Sequence, residues 1–162
     1  MISNHKVAYR NVASKYYAFR PEEIDKAIDD FRMILEGNGL HLSGNMFFSI
    51  ISNPQSEIMT AEIFLTVEED TIKGLVDPKE NIRFRSYFTL SPMLMTRIME
   101  NFNHESQKTY WELLGYLQVN QLERTTPVFV EYKNSLSGID YVEMSIGYKL
   151  DPANYNPEEN IT

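Results

Sequence analysis

Cysteine is absent from the 162 residues. That excludes disulfides, thiolate metal sites and a cysteine nucleophile. Histidine is scarce, at three residues: His5, His41 and His104. None is spaced from another as metal ligands usually are, so no metal site is expected. Basic residues are outnumbered 15 to 23, for a net charge of -8. A nucleic acid would meet like charge, so a nucleic-acid partner is not expected. The N-terminus opens no apolar run, and no long hydrophobic run follows. Neither a signal peptide nor membrane insertion is expected, and the cytoplasm is the default location.

What is present is a core. Hydrophobic residues make up 43% of the chain and aromatics 12%. That is enough for one domain, or for two small modules sharing apolar surface. From Lys6 to Phe19 the pattern predicts a long strand with an irregularity in its middle. Arg20-Pro21-Glu22-Glu23 starts a helix, since proline and acids suit the first turn. Ile24, Ile28, Phe31 and Leu35 form its apolar stripe, and Gly37-Asn38-Gly39 ends it. Glu22 with Lys26, and Arg32 with Glu36, are the expected pairs on its wet side. Two strands follow, Asn45 to Ser52 and Ile58 to Val67, joined by a turn at Asn53-Pro54. The polar stretch 68–81 reads as a linker.

The grammar then repeats. Ile82 to Phe88 is extended, and Ser91-Pro92 implies a bulge or an edge position. The methionines Met93, Met95 and Met99 read as gap-filling core. Tyr110, Leu113, Leu114 and Leu117 form a second helical stripe. Pro127 to Lys133 and Gly138 to Leu150 form a second hairpin. At an offset of 82 residues Ile28 falls on Tyr110, Phe31 on Leu113, Leu35 on Leu117 and Phe47 on Phe129. At 81, Glu62 falls on Glu143. The expected fold is therefore α+β, built as tandem duplicated β-α-β-β units. The first unit is 1–67, the second 82–150, and 151–162 is a flexible tail on one compact domain. Neither unit can close a core alone. An antiparallel sheet with two helices on one face and a groove on the other is the natural arrangement. Exposed sheet edges would also suit a homodimer.

Three segments carry a resemblance: Tyr110-Trp111-Glu112-Leu113-Leu114-Gly115-Tyr116-Leu117, then Pro127-Val128-Phe129-Val130-Glu131-Tyr132, then Val142-Glu143-Met144-Ser145-Ile146. Together they resemble the gyrase-inhibitor-like, effector-binding superfamily. That resemblance implies a groove for a small apolar cation, with Glu131 as the acid facing it and aromatics as walls. Strand alternation puts Phe129 beside Glu131, and Tyr141 beside Glu143. The expected groove residues are Phe47, Glu62, Phe64, Trp111, Phe129, Glu131, Tyr141 and Glu143. An aromatic wall with a carboxylate suits a cation. The same acids also fit an ordinary exposed sheet face.

More narrowly, the length, the Val7-Ala8-Tyr9-Arg10-Asn11-Val12 opening and the acidity resemble short Gram-positive proteins that accompany type VII secretion toxin clusters. Membership would imply a cytoplasmic chaperone or adaptor that binds a secreted toxin before export. A lipophilic-cation binder is the alternative. The superfamily resemblance also implies a hydrolase as a third possibility, with a groove acid and an aromatic partner, here Glu131 with Trp111 or Tyr148. No nucleophile motif, phosphate loop or paired histidine accompanies them, so neither catalytic residues nor a cofactor is expected. No helix-turn-helix precedes the domain, which argues against a one-chain transcription regulator.

Overall fold

Each half of the chain lays down a long strand, a helix and a hairpin. The structure is a computed structural model and describes residues 1–136, 138 and 140–150. The expected tail, 151–162, lies outside the described residues. In order come β1 (Ile2–Phe19), α1 (Ile24–Gly37), β2 (Leu42–Ile50), β3 (Met59–Val67), β4 (Arg83–Ile98), α2 (Phe102–Val119), β5 (Leu122–Asn134) and β6 (Asp140–Leu150). All strand pairs are antiparallel, and the six close into a barrel in the order β1-β3-β2-β5-β6-β4. Outward from the β2–β5 seam, each half runs second strand, third strand, first strand. The order is thus the same in both copies, as a duplicated unit requires.

Closure is where the observed architecture goes beyond an open sheet. β1 and β4, the first strands of the two units, pair from Ile2↔Met95 to Ser14↔Arg83. The sheet therefore has an inside and an outside. Phe47 on β2 and Phe88 on β4 belong to strands three places apart around the ring in either direction. Their ring centroids are nonetheless 5.3 Å apart, so that face is the barrel interior. Every strand has two neighbours in the ring, but the pairing is partial: β4 from Arg83 to Leu90 pairs with β1 alone, and β1 ahead of Val12 pairs with β4 alone.

The helices lie outside. Ala27, Ile28, Phe31 and Leu35 of α1, and Tyr110, Leu113 and Leu117 of α2, are buried. They pack with the outward side chains Phe48, Ile50, Ile63, Leu65, Val128, Val130, Met144 and Ile146 in one cluster. Each such side chain contributes about 1.5–3 kcal/mol by leaving water. Leu114 is only partly buried, one turn-step off the stripe. The wet side of α1 pairs Lys26 with Glu23 and Arg32 with Asp29 at i,i+3, not the i,i+4 partners Glu22 and Glu36. The 68–81 stretch crosses from β3 to β4 with Ile72 and Val76 laid against the same cluster. Lys15 on β1 holds its end through Glu80 at 2.7 Å.

Three irregularities shape the barrel. Asn11 in β1 takes φ 53, and around it the inward residues change parity, from Val7 to Val12. Ser91-Pro92 supplies one extra residue of β4, between Val7↔Leu90 and His5↔Met93. Proline has no N–H to offer a neighbour there. In β5, the register slips between Arg124↔Tyr148 and Val128↔Ile146. Gly147 faces that slip and donates its N–H to Thr126 Oγ1 at 2.8 Å. A Cβ at Gly147 would collide with the side chains of Thr125 and Thr126.

Candidate functional site

The groove predicted from the sequence is the interior of the barrel. Period-two alternation puts Phe47, Phe64, Phe129, Glu62, Glu131 and Glu143 on this one face. Cross-strand register links them in a row: Phe64↔Phe47↔Glu131↔Glu143. The interior is filled, not open. Tyr9, Phe47 and Phe64 form a stack, with centroids 4.5 Å apart at each step. Phe88 and Phe129 pack against it at 4.9 and 5.9 Å from Phe64. Phe47 is 0% exposed and Glu131 1% exposed. The open trough is therefore corrected: closing the sheet turned the aromatic walls into a plug.

Trp111 does not belong to this face. It sits on α2, outside the barrel, 45% exposed and edge-on to Tyr110 at 5.1 Å. One residue along a helix is a rotation of about 100°, which carries Trp111 off the Tyr110 stripe. Tyr141 lies at the rim, where the Arg97 guanidinium covers its ring at 5.0 Å. Tyr148, named as a partner for a catalytic Glu131, instead donates its hydroxyl to Asn4 at 3.3 Å.

The buried acids have specific partners. Ser14 donates to Glu62 at 2.7 Å. Tyr9 donates to Glu131 Oε1 at 2.7 Å, and Lys133 lies 3.4 Å from the same oxygen. Lys133 also donates to the Tyr9 hydroxyl at 3.0 Å. Burial, then the charge of Glu131, pushes the Tyr9 phenol well above its ordinary range, so it stays a donor at all physiological pH. Arg97 reaches Glu143 Oε1 at 3.7 Å. His5 Nε2 lies 3.4 Å from Glu131 Oε2 and 3.9 Å from Glu143 Oε2. Sequence spacing missed His5, because its neighbours come from β5 and β6. The alternation of His5, Val7 and Tyr9 along β1 was the one available signal.

A second site lies on the other side of the sheet. The N-terminal ends of α1 and α2 stand apart and leave a cleft of about 610 Å³. Its floor is the outer face of the sheet: Phe48, Ile50, Met59, Ile98, Val130 and Val142. Tyr110 and Tyr132 wall it, and Glu22 and Asp25 stand at its rim. Burial, then the nearby charge of Asp25, pushes the Tyr132 phenol up to about 12. This volume and this apolar lining are those of small-molecule sites. A shallower basin of about 740 Å³ near the barrel end is lined by Lys6, Tyr9, Arg10, Asn45, Glu68 and Tyr87 among others, a mainly polar set without the cleft's aliphatic floor. The cleft was not foreseen, because the pattern marks its floor residues simply as core.

The C-terminal domain of EcmrR, known from a crystal structure, matches with a TM-score of 0.62 and 14% identity, over 93% of this chain and 100% of that domain. At that identity the likeness is one of fold alone, and it agrees with an antiparallel six-stranded α+β architecture carrying two helices. Residues 8–149 match the family described as "Domain of unknown function (DUF5085)", and the chain belongs to that family. No curated protein matches. None of the described helices is long and apolar enough to cross a membrane.

Proposed function

We propose that this is a non-catalytic binding protein of the cytoplasm, and that its guest sits in the cleft between α1 and α2. The observation that carries this reading is the cleft itself: about 610 Å³, floored by aliphatic and aromatic side chains, with two carboxylates at its mouth. The guest it fits has an apolar body and a positive charge. Helix N-termini favour anions, each by about half a unit charge. Two of them face the cleft, but Glu22 and Asp25 each bring a whole negative charge and outweigh them. Aromatic rings add attraction for a cation. A lipophilic cation therefore satisfies the site. Tetraphenylphosphonium, titrated calorimetrically, is expected to bind the wild-type chain. Gln107→Trp, which fills the cleft from an exposed helix position, is expected to weaken it at least tenfold. Equal affinity in the two would refute this seat.

A second reading makes the guest a segment of a client protein, namely a type VII-secreted toxin held before export. It is favoured by the exposed aromatics Phe102, Trp111 and Tyr116 along α2, a residue class enriched at interfaces. The net charge of -8 complements a basic client. Mixing the purified chain with the product of each neighbouring gene is the test. A 1:1 complex on gel filtration that Gln107→Trp abolishes supports it, and separate elution in every mixture refutes it.

A further inference from the structure

We infer that His5, Glu131 and Glu143 form a binding site for one divalent transition-metal ion, held by His5 Nε2, Glu131 Oε2 and Glu143 Oε2. These three atoms lie within 4.8 Å of one another. Donors about 2.1 Å from a common ion stand about 3.4 Å apart at the tetrahedral angle. The His5 separations of 3.4 and 3.9 Å need only a small contraction to reach that.

The carboxylates are oriented for the task. Each has one oxygen engaged elsewhere: Glu131 Oε1 by Tyr9 and Lys133, Glu143 Oε1 by Arg97. Each turns its other oxygen toward the imidazole. Such outer partners fix the geometry of metal ligands.

An independent observation points to a cation at this place. Glu143 Oε2 is buried and has no hydrogen-bond partner, and neither has Ser145 Oγ on the same face. The duplication explains the first. Tyr16↔Glu62 and Ser14↔Phe64 in the first unit correspond to Arg97↔Glu143 and Met95↔Ser145 in the second. Ser14 donates to Glu62, whereas Met95 stands in the equivalent place and offers Glu143 nothing. A buried carboxylate oxygen left without a partner is destabilising, because it has given up its hydration for nothing. A cation there removes that cost. Lys133 and Arg97 oppose a further positive charge, but Arg97 is half in solvent and screened accordingly.

One imidazole with two carboxylates suits zinc or manganese, while magnesium dehydrates reluctantly and prefers an all-oxygen shell. The test is calorimetric titration of the chelator-treated full chain with Zn²⁺. One equivalent is expected, with affinity reduced at least tenfold in His5→Ala and in Glu143→Gln. His41→Ala removes the exposed His41–Glu69 pair, the competing surface site, and is expected to change nothing. Unaltered binding in His5→Ala, or no binding to the wild-type chain, overturns the inference. Should the variants fail to fold, Mn²⁺ added to the wild-type chain decides. The imidazole resonances of His5 are expected to broaden while those of His41 and His104 stay sharp. Broadening of His41 alone overturns it.

Discussion

Glu62 and Glu143 occupy equivalent places in the two units, and single side chains beside them set their different states. Ser14 donates to Glu62 inside the barrel. Ser14→Ala strands that carboxylate and is expected to cost about 1–3 kcal/mol, read as a lower urea midpoint with an unchanged slope. Gly147 shows the opposite constraint, since any side chain there meets Thr125 and Thr126. Gly147→Val is expected to destabilise by about 1–3 kcal/mol through overpacking, measured the same way. At this scale the sequence was legible wherever alternation ruled. Phe47, Phe64, Phe129, Glu62, Glu131 and Glu143 share the face that their parity assigns. It failed for Trp111, where a neighbouring aromatic on a helix points elsewhere. It was silent on His5, whose partners are 126 and more positions away.

The elements carry the next level. Tyr17 on β1 donates to Asp30 on α1 at 2.7 Å, and Tyr132 on β5 lies near Asp25 of the same helix. Both phenols are held above their ordinary range, by burial first and the carboxylate second. The folded chain therefore keeps the Tyr132 proton between about pH 10, the free value, and about 12, where the unfolded chain releases it. Stability is complete below that window and falls as pH rises through it. Tyr132→Phe is expected to lose less stability than the wild type between pH 9 and 11.5, by urea unfolding at each pH. Strands and helices were readable from periodicity and from Pro21, Gly37 and Gly39. The bulge at Ser91-Pro92 was readable too, since proline cannot complete a ladder. The beginning of β5 at Leu122, ahead of Pro127, was not, because Leu122 to Arg124 pair with β6 across a slipped register.

For the whole molecule, duplication was visible as phase agreement between the two halves, and closure was not. Nothing in the pattern of β1 or β4 tells whether they face water or each other. Their pairing converts the expected trough into a packed interior and moves the open cavity to the helix side. A guest entering the barrel would have to displace the Tyr9–Phe47–Phe64 stack, whereas one entering the cleft displaces water. Calorimetric titration of tetraphenylphosphonium into the wild-type chain, Gln107→Trp and Glu131→Gln separates the two seats. The cleft account predicts at least a tenfold loss in Gln107→Trp and less than a twofold change in Glu131→Gln. Binding that survives in Gln107→Trp and is lost in Glu131→Gln would contradict it.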